Sequence, residues 1–317
     1  MNAQARALAA AVTPLTGAGE QVDVPAIASL VGFYAAAGLD GLLVLGTTGE
    51  GILLSVAERR ATAAEFLRCS PGRIPIIVHC GAQSTRDTAT LAEHAAGLGA
   101  AGVAVIAPPY FAPDERALQQ HFVVAASACA PAPFYIYEFA ARSGYAVPLS
   151  VVARLRDLAP NFTGLKVSDT PFDRVQPYLV SGLDVFIGAE ELIHRGLVGG
   201  ARGAVSGLAA ALPELTVRAV RSGSAEHSAA AGRVRASLQR FPFHAAVKHI
   251  LRWRGVPIET TVRAPLRGLD VGELDELERL LADPDGEIAH SVTASTVSGA
   301  PPKRSSRSAV RSNVLQR

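Results

Sequence analysis

The sequence is poor in cysteine, in aromatic residues and in charge. Its three cysteines, Cys69, Cys80 and Cys129, are odd in number and lack CxxC spacing, which argues against a disulfide framework and indicates a reducing compartment. Charged residues make up only 18% of the chain and the net charge is +2. Lysine and arginine are dispersed through the body of the chain, so no basic patch predicts binding to nucleic acid.

Long apolar runs are also missing. No uninterrupted stretch approaches the roughly 20 residues that a membrane-spanning helix needs. Residues 1–12 lack the basic flank and long apolar run of a secretory signal, so we expect a cytoplasmic protein with no membrane contact. The chain is rich instead in small aliphatic residues: 49% of its 317 residues are hydrophobic although only 6% are aromatic. That supply is enough for a large buried core.

Short apolar runs alternate with amphipathic segments over the first two thirds of the chain. Eight runs are hydrophobic on both faces, as parallel strands buried in a sheet are: Leu8–Val12, Gly41–Leu45, Ile74–His79, Gly102–Ile106, Pro133–Tyr137, Phe162–Lys166, Asp184–Gly188 and Gly203–Ser206. Most are followed by a segment with helical periodicity, such as Val24–Ala37. Eight such units predict an α/β protein with a closed (β/α)8 TIM barrel rather than an open doubly wound sheet.

The pattern changes after the eighth run. From Pro213 it is wholly helical, and after Asp283 its periodicity is lost. We expect residues 1–222 to form the barrel and residues 223–283 a small C-terminal helical cap. Residues 291–317 are rich in Ser, Thr, Ala and Pro and end in basic residues. We therefore expect residues 284–317 to form a disordered, solvated tail rather than a nucleic-acid-binding arm.

Lys166 is the first candidate for chemistry because it closes the sixth apolar run, where barrel enzymes carry catalytic groups. A lysine that points into a dry barrel is costly unless something offsets its burial. Burial also favours the neutral amine, which can attack a carbonyl. The structural alternative is a strand-end lysine paired with Asp169 or Glu190.

Other polar residues follow neighbouring strands. Tyr137 ends the fifth run, and its phenol can donate and accept protons, although strand-end tyrosines often serve only in packing. In Gly46–Glu50, two glycines flank Thr47 and Thr48 and permit a tight turn whose N–H groups suit a substrate carboxylate. An ordinary βα turn is the alternative. Tyr110 follows the fourth run.

Two kinds of site are rejected. Gly97–Gly102 matches GxGxxG, but it lies between a helix and the following strand, whereas a dinucleotide fingerprint follows a strand and opens a helix. No cofactor is therefore expected. No metal site is expected either, because the candidate ligands lack compact spacing; these are His79, Cys80, His94, His121, His244 and His249.

Taken together, these residues resemble the dihydrodipicolinate synthase / N-acetylneuraminate lyase family of class I, Schiff-base aldolases. The resemblance extends from about Leu8 to Leu281. It rests on the order and spacing of GTTGE (46–50), PPYF (108–111), YEFAARSG (137–144) and GLKVSD (164–169), with weaker support from Gly203–Gly207 and Arg263–Leu266. It implies a homotetrameric lyase that needs no cofactor and forms a lysine Schiff base with pyruvate or another 2-oxo acid.

The resemblance also implies a role for each catalytic residue. Lys166 forms the imine with the substrate ketone, and Tyr137 shuttles protons and orients the intermediate. Thr47 and Tyr110 complete the proton relay, with Tyr110 arriving from a neighbouring subunit.

Five further residues are expected to contact substrate. By the resemblance, Thr48 and the adjacent backbone hold the carboxylate of the 2-oxo acid, while Gly188 and Val205 line the pocket floor. Arg142 stands where the synthases of the family keep an arginine for the carboxylate of their second substrate, with a surface salt bridge as the alternative. Glu138 would repel a carboxylate or accept hydroxyls.

Two departures from the family pattern leave the reaction open. The family's Asn-x-Pro after the tyrosine is replaced by Glu138–Ala140, and Val167–Asp169 is closer to lyase-like members. Aldolases and dehydratases that act on an aldehyde or a sugar acid fit at least as well as 4-hydroxy-tetrahydrodipicolinate synthase, which joins pyruvate and aspartate semialdehyde. Two rival hypotheses are a phosphate-binding barrel isomerase and a non-catalytic, sugar-acid-binding family member.

Overall fold

Eight parallel strands close into a barrel in the computed structural model, which describes residues 4–70, 72–284 and 286–289. The strands are β1 Arg6–Ala10, β2 Gly41–Val44, β3 Ile76–His79, β4 Gly102–Ile106, β5 Phe134–Glu138, β6 Phe162–Val167, β7 Asp184–Ile187 and β8 Gly203–Ser206. They follow one another around the barrel in chain order, and β8 pairs with β1. The predicted barrel is confirmed; its first strand begins two residues earlier than the sequence indicated.

Alternate residues of each strand fill the barrel interior. Eight inward-pointing side chains form one buried cluster there: Leu8, Ala10, Leu43, Ile77, Ala104, Tyr135, Phe186 and Val205. The residues between them, such as Leu42 and Leu165, belong to the larger core between strands and helices. Both faces of the sheet are therefore buried, which explains why the strands are continuous apolar runs in the sequence.

Helices follow every strand. Those of the barrel are α1 Val24–Ala36, α2 Val56–Cys69, α3 Thr85–Gly97, α4 Glu115–Cys129, α5 Leu149–Leu158, α6 Phe172–Val175, α7 Ile193–Val198 and α8 Pro213–Ser222. The first four begin at side chains that accept a hydrogen bond from the first turn: Asp23, Ser55, Ser84 and Asp114. At Ser55 the bond is reciprocated by Glu58 in a capping box.

Three more helices confirm the predicted C-terminal extension: α9 Ala225–Leu238, α10 Phe243–Trp253 and α11 Val271–Ala282. Helix α10 packs against the loop that follows β2, where His244 bonds the carbonyl of Thr47. Most of the predicted tail, residues 290–317, lies outside the described residues. Within the described part of the chain, every helix is too short or too polar to cross a membrane.

Candidate active site

Neighbouring strands place two of the predicted catalytic side chains together. Tyr137 of β5 and Lys166 of β6 are register partners, and both point into the barrel because Ile136 and Leu165 before them face the outer core. Both side chains are buried. The Lys166 Nζ lies 4.2 Å from the centroid of the Tyr137 ring, so the amine and the phenol share one small space at the carboxyl end of the strands.

The two carboxylates that the sequence suggested as partners for Lys166 have other partners. The Asp169 Oδ2 accepts the Ala140 N–H at 3.0 Å. The Glu190 Oε1 accepts the Ser206 hydroxyl at 2.6 Å, a bond that joins the end of β7 to the end of β8. The strand-end ion pair is therefore not the arrangement that the structure adopts, and the lysine amine is left facing the tyrosine ring.

Thr47 completes a hydrogen-bonded group with Tyr137. Its Oγ1 lies 3.2 Å from the Tyr137 hydroxyl, so a proton can pass between them in either direction. The loop that carries Thr47 is tightly folded: Gly51 N–H bonds the Gly46 carbonyl, and a Cβ at Gly51 would lie 1.8 Å from the Leu45 carbonyl oxygen. Only glycine fits at that close approach, so the turn fixes where the threonine stands.

The C-terminal helices anchor the same loop through a buried ion pair that the sequence analysis missed. The Lys248 Nζ of α10 lies 2.6 Å from the Glu50 Oε1, and neither side chain is exposed. The other Glu50 oxygen accepts the Arg263 N–H at 2.7 Å. Burial lowers the pKa of Lys248 and the Glu50 carboxylate opposes that shift. A lone lysine on the apolar face of α10 was the signal available in the sequence.

His79 of β3 supports the tyrosine from another side. Its ring meets that of Tyr137 edge to face at a centroid distance of 5.8 Å. The Ile106 N–H donates to Nε2 at 3.3 Å, so Nδ1 carries the proton and donates to the Leu45 carbonyl at 3.1 Å. Burial, with smaller contributions from Arg59 and Lys166, lowers the pKa of His79 to about 3. The imidazole is therefore neutral, and both nitrogens are committed to the backbone.

Arg142 lies at the rim of this group. It is exposed on the one-turn helix Ala140–Ser143, and its guanidinium carbon is 5.7 Å from the centroid of Phe139. The Phe139 ring in turn lies 6.1 Å from that of Tyr137. An exposed cation so close to the pocket is available to an anionic group of a bound molecule.

Tyr110 is placed differently. Its side chain is 86% exposed, its φ angle is +80°, and its ring packs edge to face on the exposed Phe111 at 4.8 Å. The single chain therefore does not bring Tyr110 to the Thr47–Tyr137 pair. Its arrival from a neighbouring subunit stays a prediction.

The remaining residues that were expected to contact substrate are Val205, Gly188, Thr48 and Glu138. Val205 belongs to the cluster inside the barrel, and a Cβ at Gly188 would lie 2.0 Å from the Ser168 hydroxyl, so both fit a closely packed floor. Thr48 is buried, with its Oγ1 3.3 Å from the Cβ position of Gly207. Glu138 differs from expectation. Next to the inward-facing Tyr137 it points outward by strand alternation.

Glu138 is fully buried and its Oε2 accepts the Val147 N–H at 2.9 Å. A direct contact with substrate, which the sequence suggested, does not agree with this placement.

Another residue that the sequence analysis did not single out is Arg235 of α9. Its guanidinium carbon lies 3.6 Å from the centroid of Phe243, and its Nε is 3.7 Å from the Glu190 Oε2.

The site combines an amine with a hydrogen-bonded pair of hydroxyl groups. Among the residues that the structure describes, no three His, Cys, Asp or Glu side chains are grouped to hold a metal ion. The groups that the structure brings together here are the Lys166 amine, the Tyr137 phenol and the Thr47 hydroxyl. Such a set can form and break a covalent bond to a carbonyl and move protons beside it.

Comparison with known proteins places this chain in a family. A sequence model of the dihydrodipicolinate synthetase family matches residues 3–283. A DapA-like lyase from Halobacterium salinarum is 35% identical over 281 residues, which cover 84% of this chain and 90% of that protein. Human N-acetylneuraminate lyase is 36% identical over 206 residues, 62% of this chain and 64% of that enzyme.

Solved structures agree with this assignment. YagE, a prophage protein of the dihydrodipicolinic acid synthase family from E. coli K12 solved with pyruvate, has a TM-score of 0.81 at 26% identity and covers 87% of this chain and 97% of its own. The N-acetylneuraminate lyase of Proteus mirabilis has a TM-score of 0.79 at 29% identity, with 88% and 97% covered. This chain is a member of the dihydrodipicolinate synthetase family, which includes lyases.

Proposed function

We propose that this protein is a class I lyase that forms a Schiff base between Lys166 and pyruvate or another 2-oxo acid. One observation carries the proposal: the Lys166 Nζ lies 4.2 Å from the ring of Tyr137, whose hydroxyl is hydrogen bonded to Thr47. Burial beside a phenol, with the nearby acidic residues bonded elsewhere, suits an amine that acts as a nucleophile.

The reaction follows from the imine. The amine adds to the 2-oxo carbon, and loss of water leaves a cationic iminium. Cleavage of the C3–C4 bond of a longer substrate, or loss of a C3 proton from pyruvate, sends an electron pair into the iminium and gives a neutral enamine. The enamine then adds to an aldehyde, or takes up a proton and is hydrolysed to release pyruvate.

Tyr137 is the group that moves protons in these steps. Its hydroxyl must donate to the oxygen that leaves as water and later accept a proton again, and the Thr47 Oγ1 at 3.2 Å supplies a path for both directions. The neutral His79 holds the tyrosine ring without competing for the proton. Thr48 and the backbone of the same loop are the expected partners of the carboxylate of the 2-oxo acid.

The choice of second substrate turns on Arg142. An exposed guanidinium at the rim favours an aldehyde that carries an anionic group. A synthase that condenses pyruvate with aspartate semialdehyde is the second candidate, supported by the 33% identity over 215 residues with the 4-hydroxy-tetrahydrodipicolinate synthase of Sorangium cellulosum. Both candidates use the same imine.

The glycines that end the last strands argue against a phosphate-binding isomerase. A Cβ at Gly188 would meet Ser168 at 2.0 Å, and one at Gly207 would meet the Thr48 Oγ1 at 3.3 Å. These glycines therefore serve close packing of side chains. The non-catalytic alternative requires no turnover, and a measurable rate with any 2-oxo acid excludes it.

Reductive trapping tests the proposal sharply because the sequence has only three lysines, Lys166, Lys248 and Lys303. Incubation with pyruvate and borohydride should add the mass of one reduced pyruvate, and peptide mapping should locate it on Lys166. Lys166→Ala should lose the adduct, whereas the control Lys303→Arg should keep it. Absence of an adduct with pyruvate and with every other 2-oxo acid tried, or its location on another lysine, refutes the proposal.

A further inference from the structure

Two buried carboxyl groups lie together below the segment that carries Arg142. Glu138 ends β5 and is 0% exposed, and Asp169 follows β6 and is 4% exposed. The Ala140 N–H, which donates to the Asp169 Oδ2 at 3.0 Å, also lies against the Glu138 carboxyl, so the two acids are neighbours. Within the described part of the structure, the Glu138 Oε1 has no N–H or hydroxyl donor. A proton shared with Asp169 satisfies that oxygen, whereas two ionised carboxylates at this spacing would repel each other.

The same pair holds both ends of one segment, residues 140–147. At its start the Ala140 N–H donates to the Asp169 Oδ2 at 3.0 Å. At its end the Val147 N–H donates to the Glu138 Oε2 at 2.9 Å. Arg142 lies between these two bonds, on the one-turn helix Ala140–Ser143. The carboxyl pair therefore bonds both ends of the segment that carries the arginine.

Other titratable groups around the pair are tyrosines. The Tyr178 hydroxyl donates to the Val147 carbonyl at 2.7 Å, and the Tyr145 hydroxyl donates to the Pro108 carbonyl at 2.8 Å. Burial raises the pKa of Tyr178, and it raises that of Tyr145 to about 12. Both stay protonated over the range in which a carboxyl pair titrates, so neither replaces the shared proton. Through Tyr145 the segment also holds the turn before Tyr110.

We infer that Glu138 and Asp169 are positioning residues which, by sharing one proton, fix the 140–147 segment and keep Arg142 in place for an anionic second substrate. The inference rests on the proposed function only for the identity of that substrate. Loss of the shared proton to solvent leaves two adjacent carboxylates that repel each other; as they separate, they displace the two N–H groups that they hold and release the arginine.

The pH range follows from the surroundings of Glu138. Burial first, and contact with Asp169 second, raise its pKa to about 8, while the bond from Val147 opposes them. Because this pKa is raised above that of an unfolded glutamate, its contribution to stability is complete in acid and is lost as the pH rises through about 8. The segment is therefore held at neutral pH and released at alkaline pH.

The first test measures the segment without reference to activity. Trypsin cleavage after Arg142, followed by mass spectrometry from about pH 7 to about pH 9.5, reports its release. Cleavage of the wild type should increase as the pH rises. Glu138→Gln keeps an acceptor for the Val147 N–H and a permanent donor for Asp169, so its cleavage, compared with that of the wild type at the same pH, should not show this increase. The exposed control Glu93→Gln should behave as wild type. Equal pH dependence in wild type and Glu138→Gln overturns the inference.

The second test measures recognition, with succinate semialdehyde as an anionic aldehyde partner for pyruvate. One group with a pKa near 8 should raise the KM of wild type for this aldehyde about tenfold between about pH 7 and pH 9. The KM for pyruvate should stay nearly constant, and Glu138→Gln should show no rise. A parallel rise in Glu138→Gln, or failure of an imine-forming wild type to use this aldehyde, contradicts the inference. Failure of pyruvate trapping contradicts the proposed function instead and leaves the trypsin comparison intact.

Discussion

Replacing Lys248 with methionine removes the positive half of a fully buried ion pair. In the wild type its Nζ lies 2.6 Å from the Glu50 Oε1 and donates to the Thr261 carbonyl at 2.7 Å. Methionine fills a similar volume but leaves the carboxylate and the carbonyl without this donor. Breaking a buried pair by removing one partner costs about 3–5 kcal/mol. The unfolding equilibrium constant should therefore rise more than about a hundredfold.

Urea denaturation followed by circular dichroism measures this free energy of unfolding. Glu50→Gln keeps an acceptor for the Arg263 N–H but leaves Lys248 unpaired, so it should be costly alone. The double variant removes both charges and should cost at least about 2 kcal/mol less than the sum of the two single variants. Because Glu50 also anchors the loop of Thr47 and Thr48, the single variants should raise KM for the 2-oxo acid.

A matched control is the exposed pair Arg154–Glu115, 3.2 Å apart with both side chains about half exposed. Arg154→Met should cost about 0–1 kcal/mol. If Lys248→Met costs no more than this control, or if the double variant equals the sum of the single variants, the buried pair does not hold the loop as described.

Three further predictions concern other parts of the molecule. Gly51→Ala places a Cβ 1.8 Å from the Leu45 carbonyl oxygen, so it should cost about 2 kcal/mol or more in thermal unfolding, and an unchanged melting temperature contradicts that geometry. Tyr137→Phe removes the relay and should lower kcat by about 10²–10⁴-fold, whereas slow borohydride trapping on Lys166 should persist; an unchanged kcat removes tyrosine from the mechanism. Burial raises the pKa of Cys80 to about 12 and of Cys129 to about 11, so a thiol reagent at about pH 8 should label both only after denaturation, and rapid labelling of native protein refutes this.

The strands were predictable because the barrel buries both of their faces. Runs such as Gly102–Ile106 and Gly203–Ser206 have the same bounds in the structure as in the sequence prediction. The start of β1 was missed because Arg6 is charged, although Arg6 and Ala7 already pair with β8. Its end was predicted two residues too late because the apolar run continues past Ala10, where the ladder to β2 ends. The short helices α6 and α7 were missed, since four or six residues carry too little periodicity to recognise.

Sequence motifs also placed Thr47, Tyr137 and Lys166 at the carboxyl end of the barrel, because each ends or follows a strand, and the structure brings the three side chains together there. The motifs could not show that Glu138 turns away from the pocket to share a proton with Asp169, because that contact joins the end of β5 to the loop after β6, 31 positions further along the chain. Nor could they pair Glu50 with Lys248 across 198 positions.

The sequence by itself determined the barrel, the lysine at the end of its sixth strand and the positions of the residues proposed for its relay, because apolar periodicity and local turn chemistry are properties of short segments. Only the tertiary structure decided which charges meet. A buried carboxyl or ammonium group takes its partner from whatever the folded chain brings within hydrogen-bonding distance. The closure of the barrel sets the partners of Glu138, and the C-terminal helices set that of Glu50.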